Sequence, residues 1–295
     1  MRYKPMLAYP VSKKPINYND EVYIQPKLDG VRCLIQAEPT NYESEWYKAT
    51  KPFKVVAYSR TGKEWKNINH ILDILIPFFT KHPNVVLDGE LYNHDLRDNF
   101  EKIISLVRKQ TPTLVDQHEA RLLTQFHCYD MINPDFDYNF NLRDEFLQQE
   151  LYNVEYIKLV PTLIVESDDQ ARRKHTLNLA HGYEGSIVRL NTHYQNKRSH
   201  SLRKFKDFSD AEATIIGYLD GKGKRVGTLG KFIMQDDDGN EFGCPPGKGY
   251  NYKDLKNMLD NIGDYIGQRA TFTFFERTKA GSYRHPLFKC IRNYE

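Results

Sequence analysis

QPKLDGVR, residues 25–32, sets a lysine two places before an Asp-Gly pair and an arginine two places after it. Asp-Gly between apolar runs reads as a turn joining strands over 21–28 and 31–37. Lys27 then stands at the mouth of a hairpin, where an amine adds little packing and has Asp29 and Arg32 nearby. An amine becomes a nucleophile once it loses its proton, and neighbouring cations and partial burial both favour that loss. LRKFK, residues 202–206, offers such cations: Lys204 and Lys206, two apart on an expected strand, share one face. Taken alone, the motif reads equally as a solvated strand-end lysine beside a plain turn.

Outward from this stretch, strand-like runs recur at 54–60, 85–92, 125–132, 157–165 and 186–190. Ile68, Ile71, Leu72 and Leu75 make one helical face, and Phe100, Ile103, Ile104 and Val107 another. Ser167 is placed to cap a third helix that ends at Gly182. Strands interrupted by single helices predict a mixed α+β domain, mainly antiparallel, over residues 1–206. Beyond KFKDFSD (204–210) the texture changes. Short strands expected at 213–219, 228–235 and 269–277 alternate with the glycine-rich turns DGKGKRVG (220–227) and DDDGNEFG (236–243). With one short helix after Asn251, residues 207–295 read as a small OB-type β-barrel, the hinge lying near Asp207. Residues 38–52 fit neither pattern and read as an inserted loop or hairpin arm.

The chain's 295 residues suit two domains, and 40% hydrophobic with 27% charged residues suits a soluble globular protein. A formal charge of +3 means that any polyanionic partner must be argued from where the cations lie. Cys33, Cys128, Cys244 and Cys290 form no C-x-x-C pair, which argues against zinc or a disulfide framework and for a reducing cytoplasm. No stretch has the length and apolarity of a signal peptide or a membrane span.

The motifs recur in a recognisable order. KLDGVR (27–32), SRTG (59–62), LDGEL (87–91), FHCYDMI (126–132), EGSIVR (184–189), LRKFK (202–206) and RHPLFKCIR (284–292) together resemble the nucleotidyltransferase superfamily of ATP-dependent DNA ligases, RNA ligases and capping enzymes. The terminal RHPLFKCIR and the loop GKGKRVGTLG (221–230) are more similar to compact viral and bacterial ATP-dependent DNA ligases. Such a ligase pairs a nucleotidyltransferase (ATP-grasp-like, α+β) domain with an OB fold. The short lead-in before residue 25 sets the expectation that the extra DNA-binding domain of larger ligases is absent.

The resemblance implies that Lys27 attacks the α-phosphorus of ATP to form lysyl-AMP, with Lys204 and Lys206 on the α-phosphate. It implies Glu184, Asp88 and Glu90 as oxygen ligands for Mg²⁺ (or Mn²⁺), Glu90 also accepting from the ribose. Gln25 would read the adenine edge. Tyr129 would stack on the base, although a plain core aromatic is its rival reading. Arg32 and Arg60 would meet the ribose or the nick 5′-phosphate, and Arg284, assisted by Arg292, the β,γ-phosphates. Asp29 would help orient the reacting 3′ end or the metal. Lys222, Lys224 and Arg225 are either contacts to the DNA backbone or a solvated loop. The implied partner is nicked duplex DNA, bound by a monomer. A capping guanylyltransferase, an RNA ligase and a non-catalytic nucleic-acid-binding protein are the alternatives.

Overall fold

A computed structural model describes residues 3–40, 52–97, 99–205, 209–247, 249–274, 277 and 281–292. Lys206, the expected hinge at Asp207 and residues 41–51 of the expected insertion lie outside them. The chain divides into two units, Met1–Phe205 and Lys206–Glu295.

In chain order the first unit contains β1 (Leu7–Pro10), β2 (Val22–Lys27), β3 (Val31–Pro39), β4 (Phe53–Tyr58), α1 (Asn69–Ile74), α2 (Ile76–Lys81), β5 (Val86–Tyr92), α3 (Phe100–Val107), α4 (Leu114–Leu123), β6 (Gln125–Ile132), α5 (Phe140–Leu151), β7 (Ile157–Leu159), β8 (Leu163–Ile164), α6 (Asp168–Ala180), β9 (Gly185–Leu190) and β10 (Arg198–Phe205). The strands form two five-stranded sheets, β1-β10-β9-β2-β8 and β4-β3-β5-β6-β7. Pairing is antiparallel except between β1 and β10 and between β6 and β7.

β2 and β3 are therefore not partners. Residues 28–30 carry the chain from one sheet to the other, and QPKLDGVR is a crossing where a hairpin was expected. Gly30 makes the crossing possible, because a Cβ there would lie 2.6 Å from Glu90 Cγ and from the Leu91 carbonyl oxygen. The run 157–165 also departs from expectation. It breaks at Pro161, whose missing N–H cannot continue a ladder, so β7 joins the second sheet and β8 the first. The strands flanking the expected insertion pair as far as Pro39 opposite Phe53, so its base is a hairpin.

Each sheet has an apolar rear and a polar front. Behind the second sheet, Cys33, Ile35, Leu87, Phe126 and Cys128 pack on Ile71, Phe79, Ile103 and Leu147 of the helices in the main core. Behind the first, Val22, Ile24 and Val188 pack against Val165 and Ala171. Ser167 caps α6 by accepting from the Gln170 N–H at 3.2 Å. In front, strand register aligns Gln25, Ile187 and Lys204 on one sheet and Arg32 with Glu90 and Leu34 with Asp88 on the other. These polar fronts are tied together by Arg189 of the first sheet, whose Nη1 donates to Asp130 Oδ2 of the second at 2.5 Å.

The second unit holds β11 (Ser209–Asp220), β12 (Leu229–Gln235), β13 (Glu241–Cys244), α7 (Tyr252–Asp260), β14 (Arg269–Phe274) and β15 (Leu287–Ile291). Its sheet, β13-β12-β11-β14-β15, is antiparallel throughout. The two edges meet where the Phe288 N–H donates to the Pro245 carbonyl at 2.9 Å and Gly247 N–H donates to Phe288 at 3.0 Å. Ala213, Ile215, Phe232, Met234, Phe272 and Phe288 fill the interior beneath Leu255 and Met258 of α7. This is the expected α+β architecture followed by an OB-like unit. Among the described residues no helix is long and apolar enough to cross a membrane.

Candidate active site

Lys27 ends β2 opposite Gly185, the first residue of β9. The Glu184 N–H donates to the Lys27 carbonyl at 3.0 Å, which brings the two side chains side by side. The Lys27 ammonium is in contact with Glu184 Oε2, the carboxylate being 6% exposed and the lysine 21%. Gly185 is required at this join: its φ is +146°, and a Cβ would lie 2.3 Å from the Phe205 carbonyl oxygen. Lys204 projects from the same face two strands away, roughly 10 Å across the sheet. Its companion Lys206 lies outside the described residues. Asp29 sits half-buried on the crossing itself.

Facing this pair, the second sheet presents Arg32, Glu90 and Tyr129. Arg32 forks onto Asp88, with Nε to Oδ1 at 2.6 Å and Nη2 to Oδ2 at 2.5 Å. Tyr194 donates to the same Oδ2 at 2.6 Å while accepting from the Met6 N–H at 2.7 Å. The expected metal ligand Asp88 is thus buried with both oxygens engaged, and it orients Arg32. Among the described residues no three His, Cys, Asp or Glu side chains gather as a metal centre, so the set Glu184, Asp88 and Glu90 is not assembled. Tyr129 donates to the Gly89 carbonyl and to Glu90 Oε2, both at 3.2 Å. The Arg32 and Arg189 guanidinium carbons lie 5.1 and 5.5 Å from its ring centre.

Burial pushes the Glu90 carboxyl up to about 7; Arg32 and the Tyr129 hydroxyl oppose the rise, and Asp88 and Asp29 add to it. In the unfolded chain the same group titrates near 4.5, so between these values the folded state holds more protons and stability falls as pH rises. His127 acts in the opposite sense, since burial, Lys158 and His94 lower it to about 3. Comparison with Glu90→Gln isolates the Glu90 contribution. The variant is expected to match the wild type near pH 5 and to exceed it at pH 8 by on the order of 2–3 kcal/mol in urea titrations.

Gln25 is 2% exposed. Its Oε1 accepts from Arg189 Nε at 2.6 Å, and its Nε2 donates to Thr162 Oγ1 at 2.9 Å and to the Tyr129 carbonyl at 3.4 Å. The side chain expected at the base edge is thereby part of a polar strut between the sheets. Asp130 anchors that strut through Arg189 and through Arg143, whose Nε and Nη2 donate at 2.7 and 3.2 Å. Burial opposes ionisation of Asp130, but the two guanidinium groups outweigh it and hold its carboxyl below the usual range.

Arg60 is exposed in the turn after β4 and lines a cleft of about 530 Å³ with Lys4, Lys197 and Arg198. Arg284 and Arg292 belong to the second unit, where Arg292 is paired with Glu212. Lys222, Lys224 and Arg225 are exposed in the same unit, on and beside the short turn Gly223–Arg225. Asp130, Arg143, Arg189, Thr162 and Tyr194 were missed by motif reading. Arg189 lies within the quoted EGSIVR and Asp130 within FHCYDMI, but Arg143, Thr162 and Tyr194 carry no local signal.

The family model described as the ATP dependent DNA ligase domain matches residues 5–206, and that described as the DNA ligase OB-like domain matches 220–292. A DNA ligase of African swine fever virus (isolate Pig/Kenya/KEN-50/1950) is 31% identical over 216 residues, covering 70% of this chain and 46% of the viral protein. A DNA ligase of Haemophilus influenzae is 26% identical over 214 residues, covering 72% of this chain and 73% of its own. The chain thus spans about half the length of the viral relatives it matches. In fold it is similar to a solved structure described as "DNA binding with a minimal scaffold: Structure-function analysis of Lig E DNA ligases". The TM-score is 0.75 at 23% identity, over 99% of this chain and 100% of the other. Nothing in these matches supports a capping enzyme, an RNA ligase or a non-catalytic binding protein. The chain belongs to the ATP-dependent DNA ligase family.

Proposed function

We propose that this protein seals nicks in duplex DNA, using ATP through a lysyl-AMP intermediate. The observation that carries the reading is Lys27 against Glu184 at the join of β2 and β9, facing Arg32, Glu90 and Tyr129 across the gap between the sheets. An ammonium is no nucleophile, so Lys27 must leave Glu184 and present an unprotonated Nζ to the α-phosphorus. Pyrophosphate departs as that bond forms. The 5′-phosphate of the nick then displaces Lys27 from phosphorus, and the 3′-OH displaces AMP. Each step is an in-line transfer at phosphorus, for which alignment and charge neutralisation are the protein's main tasks.

Lys204, with Lys206, would neutralise the α-phosphate, while Glu90 would accept from the ribose and Tyr129 would stack on the base. Gln25 would sense the base edge through the amide that Arg189 orients. Arg284 and Arg292 would meet the outgoing phosphates, and Asp29 and Arg60 the nick. Mg²⁺ is commonly held by one or two carboxylates together with substrate phosphates. Glu184, a hard-oxygen donor whose present partner is a cation, fits that need without a preassembled cluster. When bound, the metal supplies charge neutralisation at the triphosphate.

Incubation with α-labelled ATP or GTP tests the first step. Label from ATP is expected on the protein, whereas preferential labelling by GTP would overturn the reading. For DNA, Lys222, Lys224 and Arg225 offer an exposed basic turn. Replacing all three by alanine is expected to weaken nick binding at every sequence and to reduce the salt slope by roughly 0.9 per lost phosphate contact. Lysyl-AMP formation should persist. An unchanged slope in a salt series would remove the turn from the DNA contacts.

A further inference from the structure

His94, in the short turn His94–Leu96 just after β5, bonds to both sheets' site-bearing elements. Its Nε2 lies 3.1 Å from the His181 carbonyl oxygen and its Nδ1 2.8 Å from the Tyr92 hydroxyl. A carbonyl only accepts, so Nε2 donates to it. Its ring also lies over Tyr183, with centres 4.4 Å apart and planes tilted by 31°. Beside it, Arg97 donates to the His94 carbonyl at 3.2 Å and packs so closely on Gly182 that a Cβ there would lie 2.6 Å from Arg97 Nε.

These contacts bracket the turn that delivers Glu184. On one side His94 follows the strand bearing Glu90; on the other it grips His181 and Tyr183, and the next residue meets Lys27 through both backbone and side chain. Among the described residues no strand ladder joins the two sheets. Arg189 and Gln25 tie them through Asp130, Thr162 and Tyr129. His94 supplies a separate tie, at the turn bearing Glu184. We infer that His94, through the His181 carbonyl and the Tyr183 ring, is a positioning residue that holds the Glu184 turn in register with the Glu90 strand for lysine adenylation. The inference rests on the nucleotidyl-transfer reading above. It predicts an effect on the chemical step more than on nucleotide capture, because the ring bonds of His94 run to Tyr92 and to the turn bearing Glu184, not to Arg32 or Tyr129.

The test follows single-turnover formation of lysyl-AMP over a range of ATP concentrations in the full chain. In His94→Ala the maximal rate should fall on the order of tenfold, while half-saturating ATP stays within about twofold. His94→Gln, which keeps a donor for the His181 carbonyl, should recover part of the loss. Tyr183→Leu should reproduce the same split, and the double variant should be no slower than the slower single one. Unchanged maximal rates, a loss shared equally between rate and half-saturation, or fully additive effects would each overturn the assignment. If His94→Ala does not fold, the glutamine and leucine variants decide by the same criteria. A wild-type protein that takes no AMP from ATP would sink the functional reading itself, whereas a normal wild type with unresponsive variants sinks this inference alone.

Discussion

Lys27→Ala is expected to abolish ATP-dependent covalent AMP transfer to the protein. The side chain is the amine in contact with Glu184. Its loss removes the nucleophile itself, so the rate of adduct formation should drop by at least about 10³-fold, below detection. Lys27→Arg should fail as completely, since a guanidinium stays protonated and is no nucleophile. Neither variant should unfold the chain, because β2 keeps its pairing with β9. Intact-mass measurement with circular dichroism as the folding control checks both points. Residual adduct in the alanine variant would place the nucleophile elsewhere.

Asp130→Ala carries the largest expected cost to stability. The carboxylate is fully buried and shared by two guanidinium groups that are themselves 3% and 4% exposed. Removing it leaves two buried cations facing each other, a change worth about 3–5 kcal/mol. The melting temperature of the first unit should fall by roughly 10 °C. Because the folded carboxyl is held below its unfolded value, this contribution is present above the unfolded pKa and is lost as pH falls through the depressed folded one. The penalty of the substitution should therefore be full at pH 7 and shrink in strong acid. Differential scanning calorimetry across pH checks it. A shift of less than about 2 °C would show that the strut is not what holds the sheets together.

The motif residues were legible because their chemistry is local. KLDGVR, LDGEL and EGSIVR each place a charged side chain beside a glycine, and at Gly30 and Gly185 the structure shows the close approach that excludes a Cβ. What the glycines do was less legible. Asp-Gly suggests a hairpin, yet the pair in KLDGVR bridges two sheets, because the partners of β2 lie more than a hundred residues downstream. α5 escaped notice because its buried face, Phe140, Arg143, Leu147 and Leu151, includes an arginine where an apolar residue would complete the stripe. That arginine is buried for Asp130, a partner thirteen residues away on another element. Likewise Asp88 carries a motif position, but its task is set by Tyr194 and Arg32, which only the folded register brings to it. Gln25 shows the same limit. Its place in the sequence suggests a base edge, but not the bonds to Arg189 and Thr162 that hold its amide.

Nick sealing itself is the most direct measurement of the central claim. A duplex with one 3′-OH/5′-phosphate nick, labelled at the 5′-phosphate and incubated with the full chain, ATP and Mg²⁺, should yield a continuous labelled strand, with adenylated 5′ ends appearing transiently before it. Failure to seal the nick, combined with nucleotide transfer to a single-stranded RNA 5′ end under the same conditions, would contradict the account.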